Sequence, residues 1–186
     1  REEDIDLRRQ AVLYRASHHS IVLEGELTRC NIPYVKYGGL KFLEAAHIKD
    51  IMSFLRLAEN PRDLVAGTRV LKLFDGIGPK RARQLMDALI QAGGRFQAWD
   101  RISVPAAAHD KWAKFQKLMQ RLTGHPLEPA AQIHSVRAFY EPILETKYAN
   151  LVPRQRDLEQ FEQLATRFTD RQALLTQISL DPPDST

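Results

Sequence analysis

Leu71-Lys72-Leu73-Phe74-Asp75-Gly76-Ile77-Gly78-Pro79-Lys80-Arg81-Ala82-Arg83-Gln84-Leu85 is the stretch around which the rest of the chain is organised. An apolar segment runs into Gly-Ile-Gly, and Pro79 then opens a helix, where its missing N–H costs nothing. Ala82, Leu85, Met86 and Leu89 recur at i, i+3, i+4 and i+7 and form the inner face of that helix. Gly76 and Gly78 can take positive φ and carry no Cβ, so backbone amides can approach an anion, while Ile77 is placed to plug the gap between two helices. Free amides at the helix start, the positive end of its dipole, and Lys80, Arg81 and Arg83 all favour an anion there. The stretch predicts a helix-hairpin-helix that grips a DNA backbone, positioning a duplex without reading its sequence. The same residues also fit a plain architectural turn with a solvated basic end.

The totals set bounds. A chain of 186 residues, 44% hydrophobic and 27% charged, can bury one good core, or form one domain plus a fragment. No apolar run reaches membrane-spanning length and the opening Arg1–Arg9 has no signal-peptide core, so a cytoplasmic chain is expected. Cys30 is the only cysteine, which excludes an internal disulfide and a cysteine-rich zinc site. Six histidines, including His18-His19, lack metal-ligand spacing. Net charge is only +4, but between Arg69 and Arg83 five basic residues face the single acid Asp75, a local excess suited to a polyanion.

Working outward, Gln10–Tyr14 reads as a short strand, Val22, Leu23, Leu27 and Cys30 as a helix, and Ile32–Tyr37 as a second strand closing at Gly38-Gly39. Two strands do not make a stable sheet, so this β-α-β piece is expected to belong to a larger α/β domain. From about residue 40 onward every segment reads as helical, giving a mainly α chain. Ala45, Ile48, Met52 and Leu55 share a face ahead of Asn60-Pro61; Leu64, Thr68 and Leu71 lead to the hairpin; its second helix ends at Gly93-Gly94. Trp112, Phe115, Met119 and Leu122 mark a helix ending near Gly124, beside a basic stripe of Lys111, Lys114, Lys117 and Arg121. Ile133, Val136, Tyr140 and Leu144 continue the pattern, with Pro142 expected to kink or divide that element. Leu158, Phe161, Leu164 and Phe168 form the next stripe. Asp170 is placed to cap a last helix through Leu174 and Leu175, and Asp181–Thr186 reads as a linker. Trp112, Phe115, Phe139, Tyr140, Phe161 and Phe168 are read as core rather than as base-stacking platforms.

Three spaced blocks resemble one family. Ala11–Arg15 with Val22-Leu23-Glu24, Ile32–Phe42 with Ile48-Lys49-Asp50 and Leu55-Arg56-Leu57, and Gly76-Ile77-Gly78 are similar in order and register to UvrD/Rep-type superfamily 1 DNA helicases. The likeness covers residues 11 to about 92; beyond Gly94 it rests on helical character and the Arg154–Phe168 segment. It implies that residues 1–39 are part of the second RecA-like motor domain (2A), that 40–178 form the inserted helical 2B subdomain, and that 179–186 lead back to the motor. It further implies that Tyr14 and Arg15 line a single-strand track, that Gly38, Gly39, Lys41 and Phe42 sit at the single-strand/duplex junction, and that Gly76, Ile77 and Gly78 touch duplex backbone. Ser17 stands where the family usually has Asn, and His47 where it commonly has Glu.

The family's chemistry needs ATP and Mg²⁺, which the resemblance implies for a whole protein. Residues 1–186 contain neither a Gly-x-x-x-x-Gly-Lys-Ser/Thr loop nor paired Walker B acids, so this stretch alone is not expected to hydrolyse ATP. The expected role is that of a DNA-binding accessory region of a 3′-to-5′ helicase, with DNA and the remainder of the motor as partners and no membrane. A protein-interaction or autoinhibitory module is the alternative. A free-standing repair enzyme built on the same hairpin would need a catalytic Asp or Lys, and Asp100, Asp110 and Lys111 have no supporting pattern.

Overall fold

Ala46–Glu59 is the helix on which the larger part of the molecule is built, and it buries ten of its fourteen residues. The computed structural model describes residues 6–13, 23, 26, 27, 29–34, 43–124 and 127–180. The chain clusters into two units, Arg1–Lys41 and Phe42–Thr186.

In the first unit Leu7–Arg9 is a 3-10 turn, and Leu23, Glu26, Leu27 and Arg29 are helical. That helix stops where Asn31 takes φ 56°, with Ile32 N–H donating to the Leu27 carbonyl at 2.9 Å and so satisfying a terminal acceptor. The described parts of the two expected strands, residues 10–13 and 32–34, carry no ladder. A strand exists through the ladder hydrogen bonds of a neighbour, and these residues form no such ladder among those described. Val12 and Leu13 are accordingly exposed.

In the second unit every regular element among the described residues is a helix. We label α1 Ala46–Glu59, α2 Leu64–Leu71, α3 Pro79–Gln91, α4 His109–Gly124, α5 Pro129–Lys147, α6 Val152–Ala165 and α7 Arg171–Leu180. Two 3-10 turns, Phe96–Arg101 and Ala106–Ala108, join α3 to α4. α1 packs against α2, α4, α5, α6 and α7. A helix surrounded in this way must be apolar on most of its circumference, so the four-residue stripe visible in its periodicity understates its burial.

The inner faces expected from spacing hold. Ala82, Leu85, Met86 and Leu89 of α3 are fully buried, as are Phe115 and Met119 of α4 and Ile133, Val136 and Tyr140 of α5. Two expectations change. α5 runs unbroken through Pro142, because Pro142 and Ala138 both face solvent, where water can satisfy the carbonyl that proline leaves without a donor. α6 stops at Ala165, so Phe168 lies beyond the helix and is only half-buried. Asp170 does cap α7, accepting from Ala173 N–H at 2.7 Å.

Rings from five segments form one cluster. Phe74 lies 5.4 Å from Trp112, 5.0 Å from Phe115 and 6.1 Å from Phe139, and Phe54 of α1 lies 5.9 Å from Phe115. Trp99 stacks on Phe115 and donates its indole N–H to the Leu85 carbonyl at 2.8 Å, tying the 3-10 turn to α3. Edge and tilted contacts of this kind add roughly 0.5–1.5 kcal/mol per pair beyond area burial. Because Phe74 belongs to the hairpin, the hairpin is fixed to the middle of the unit. The Trp112 indole N–H is enclosed without an acceptor among the described residues.

Candidate nucleic-acid interface

α2 and α3 meet through Gly67, which is buried; a Cβ there would fall 2.2 Å from Met86 Sδ. Asp63 opens α2 by accepting from Ala66 N–H at 2.9 Å, and Leu73 and Phe74 turn the chain with i−3 hydrogen bonds. Gly76 has φ +80°, and a Cβ on it would lie 2.9 Å from Pro105. Ile77 is 4% exposed and its N–H donates to the Phe74 carbonyl at 3.1 Å.

Gly78 departs from expectation. Its φ of −82° and ψ of 178° are ordinary extended values, so its conformation does not require glycine. What glycine supplies is space, since a Cβ at Gly78 would meet nothing within 4 Å. Gly78 is the N-cap of α3 and offers no side-chain cap, and Pro79 follows. Among the described residues the N–H groups of Gly78, Lys80 and Arg81 have no acceptor. Gly78, Pro79 and Lys80 are exposed, so a solvent-facing helix start of thirteen residues presents bare donors and the positive end of its dipole.

The three basic side chains are not equivalent. Lys80 is exposed and makes no ion pair or hydrogen bond among the described residues. Arg81 donates to the Ser103 carbonyl and to Gln84 Oε1, which orients its guanidinium. Arg83 pairs with Asp87 at 3.1 Å, an exposed i, i+4 contact worth only a few tenths of a kcal/mol and readily exchanged for a phosphate. Asp75, the acid that could repel an anion here, lies 3.5 Å from Lys111 Nζ of α4. Tyr14, Arg15, Gly38, Gly39, Lys41 and Phe42 lie outside the described residues.

Sequence spacing did not reveal the polar contacts that hold this frame. Asp50, 4% exposed on α1, accepts from Arg69 Nε at 2.6 Å and from the Tyr140 hydroxyl at 2.6 Å; Arg69 also donates to the Ala46 carbonyl. Burial, with the Asp50 carboxylate beside it, pushes the Tyr140 phenol well above its ordinary value, so it remains a donor. His47 places Nε2 3.0 Å from Asp157 of α6, and burial holds its imidazole below the usual 6.5. Arg171 donates to the Ala58, Leu122 and Gln132 oxygens and to Glu59, closing the C-terminal ends of α1 and α4. The only available signal was polar residues falling on the buried side of an apolar helix.

No described helix is long and apolar enough to cross a membrane. Residues 1–121 match the UvrD-like helicase C-terminal domain family. The chain is 30% identical over 155 residues to ATP-dependent DNA helicase PcrA of Bacillus subtilis, a match covering 80% of this chain and 20% of that protein. PcrA of Staphylococcus aureus is 28% identical over 154 residues, with the same coverage. DNA helicase II of Haemophilus influenzae is 49% identical over 61 residues, or 33% of this chain and 8% of that protein. The chain thus spans at most about a fifth of the length of these relatives.

Proposed function

This chain belongs to the UvrD-like helicase C-terminal domain family, and from that premise we propose that its α2–α3 hairpin holds the sugar-phosphate backbone of duplex DNA. The observation that carries the reading is the open start of α3. The amides of Gly78, Lys80 and Arg81 have no acceptor among the described residues, Gly78 has free space where a side chain would stand, and Lys80 is exposed with no partner among them. Such a surface takes an anion by N–H donation and dipole attraction, and it recognises backbone in place of bases.

Within a whole protein, residues 1–39 would belong to motor domain 2A, 40–178 to the 2B subdomain, and 179–186 to the return linker. Tyr14 and Arg15 would touch the single strand, and Gly38, Gly39, Lys41 and Phe42 the junction. The PcrA relatives are by name ATP-dependent DNA helicases. The sequence has no Gly-x-x-x-x-Gly-Lys-Ser/Thr loop to seat the ATP phosphates. We assign the nucleotide site, and with it 3′-to-5′ unwinding, to the rest of such a protein, with this region holding incoming duplex and tuning the motor.

The test is a salt titration of duplex binding. Wild-type affinity is expected to fall steeply with salt as phosphates release counterions. Replacing Lys80, Arg81 and Arg83 by Ala should weaken binding and flatten the slope. An unchanged titration would remove the hairpin from the account. No duplex binding at all, with a stable complex to the remaining helicase, would favour the interaction-module reading.

A further inference from the structure

α4 is tied to the hairpin at one end and charged along one side. Lys111 reaches Asp75 at 3.5 Å, and the next residue, Trp112, packs edge-on against Phe74 at 5.4 Å. Lys114, Lys117 and Arg121 then follow at spacings of three and four, all exposed and none with a hydrogen bond or ion pair among the described residues. At 3.6 residues per turn they fall within about 60° of one another, on one side of the helix, and from Lys114 to Arg121 they run about 10 Å.

The acids nearby do not cancel this stripe. Asp110 is the one acid of α4; it sits in the first turn, where the dipole favours it, and pairs with no cation among the described residues. Asp100 accepts from Gln116 at 2.9 Å, on a part of the helix roughly 130° away from the stripe. Helix stability alone accounts for Arg121, which lies in the last turn and complements the C-terminal dipole. Lys114 and Lys117 suit a helix by propensity, and in the middle of α4 they leave two unpaired charges among the described residues on the same side as Arg121.

We propose that this side of α4 is a second sugar-phosphate contact, continuous with the hairpin through Lys111, that holds the same duplex further along its backbone. The inference rests on the hairpin being a duplex grip. Charge complementarity selects the occupant: one DNA strand carries a phosphate about every 3.4 Å of helix axis, so a stripe about 10 Å long lies beside three to four successive phosphates, enough for each of its three cations. Two lysines and an arginine without a rigid pocket act as point charges, so the contact adds affinity and length dependence without sequence preference.

The experiment uses the 186-residue chain and a blunt duplex of about two helical turns, titrated by anisotropy over a salt series. Combined Lys114→Gln, Lys117→Gln and Arg121→Gln substitution keeps apolar stems and removes only charge. Its thermal melt should match wild type, and the slope of log K against log salt should fall by about two to three, with about tenfold or greater loss of affinity at low salt. The Lys80, Arg81 and Arg83 alanine variant is measured alongside. A wild-type slope in the glutamine variant, with binding lost in the hairpin variant, overturns the α4 contact and leaves the hairpin reading standing. Absence of duplex binding by the wild type overturns both. Binding of polyglutamate by wild type but not by the glutamine variant, with the duplex titrations of the two proteins identical, overturns the DNA assignment of α4 in favour of an acidic protein.

Discussion

Gly67 on α2 lies so close to Met86 on α3 that a single methyl group has no room between them; its carbon would sit 2.2 Å from the thioether sulfur. The hairpin geometry therefore depends on a residue outside the Gly-Ile-Gly turn. Gly67→Ala is expected to cost about 1–3 kcal/mol by overpacking. Met86→Ala should cost about 2–5 kcal/mol by leaving a cavity. The double variant should lose less than the sum, because each change relieves the other. Urea denaturation of the four proteins completes the cycle, and additive losses would mean that the two residues do not share one space.

The two turn glycines should separate folding from binding. Gly76→Ala forces a side chain into left-handed backbone against Pro105, and a loss of about 1–3 kcal/mol is expected. Gly78→Ala meets no atom and has ordinary φ, so its cost should be limited to the loss of a favoured N-cap residue, about 0.5–1 kcal/mol, while it places a methyl on the bare amide face. Duplex affinity should drop in Gly78→Ala with the melt lowered less than in Gly76→Ala. Wild-type affinity in that variant would mean that no phosphate approaches Gly78.

Tyr140→Phe removes one of two side-chain donors to the Asp50 carboxylate, which is 4% exposed. The expected loss is about 1–3 kcal/mol, since a buried acceptor goes unfilled. Asp50→Ala should cost more, about 3 kcal/mol, because it strands both the phenol and the part-buried Arg69. Equilibrium unfolding of both variants checks the order.

Stability should weaken on mild acidification through His47. Burial lowers the folded imidazole below 6.5, against the pull of Asp157 at 3.0 Å and the more distant Asp50, with Arg154 adding to the lowering. The unfolded chain therefore takes up this proton first as pH falls. The contribution is complete above the unfolded value near 6.5 and declines as pH drops from there toward the folded value. The denaturation midpoint of wild type should fall more between about pH 8 and pH 5.5 than that of His47→Gln. Parallel curves would show that His47 does not titrate in this window.

How much was legible in advance follows from the range of each interaction. The inner face of α3, the α4 stripe from Trp112 to Leu122 and the Asp170 cap were readable because helical period and capping involve neighbours within four residues. Pro142 does not divide its helix, and its tolerance there depends on which way Ala138 faces, which is set by packing against other helices. The strand expectation for residues 10–13 and 32–34 has no ladder to support it, since pairing needs a partner that local pattern does not supply.

The sequence by itself determined that this chain is mainly helical, that a glycine turn opens a basic helix, and which faces go inward. Spacing and residue type suffice for these. Tertiary structure alone decided that Gly76, and not Gly78, needs left-handed backbone, that Lys80 has no partner among the described residues while Arg81 and Arg83 do, and that Lys111 lies beside Asp75. It also joined Asp50 to Tyr140 across 90 residues and His47 to Asp157 across 110. Contacts at that separation form only when whole helices pack, so their chemistry belongs to the fold and leaves no period in the chain.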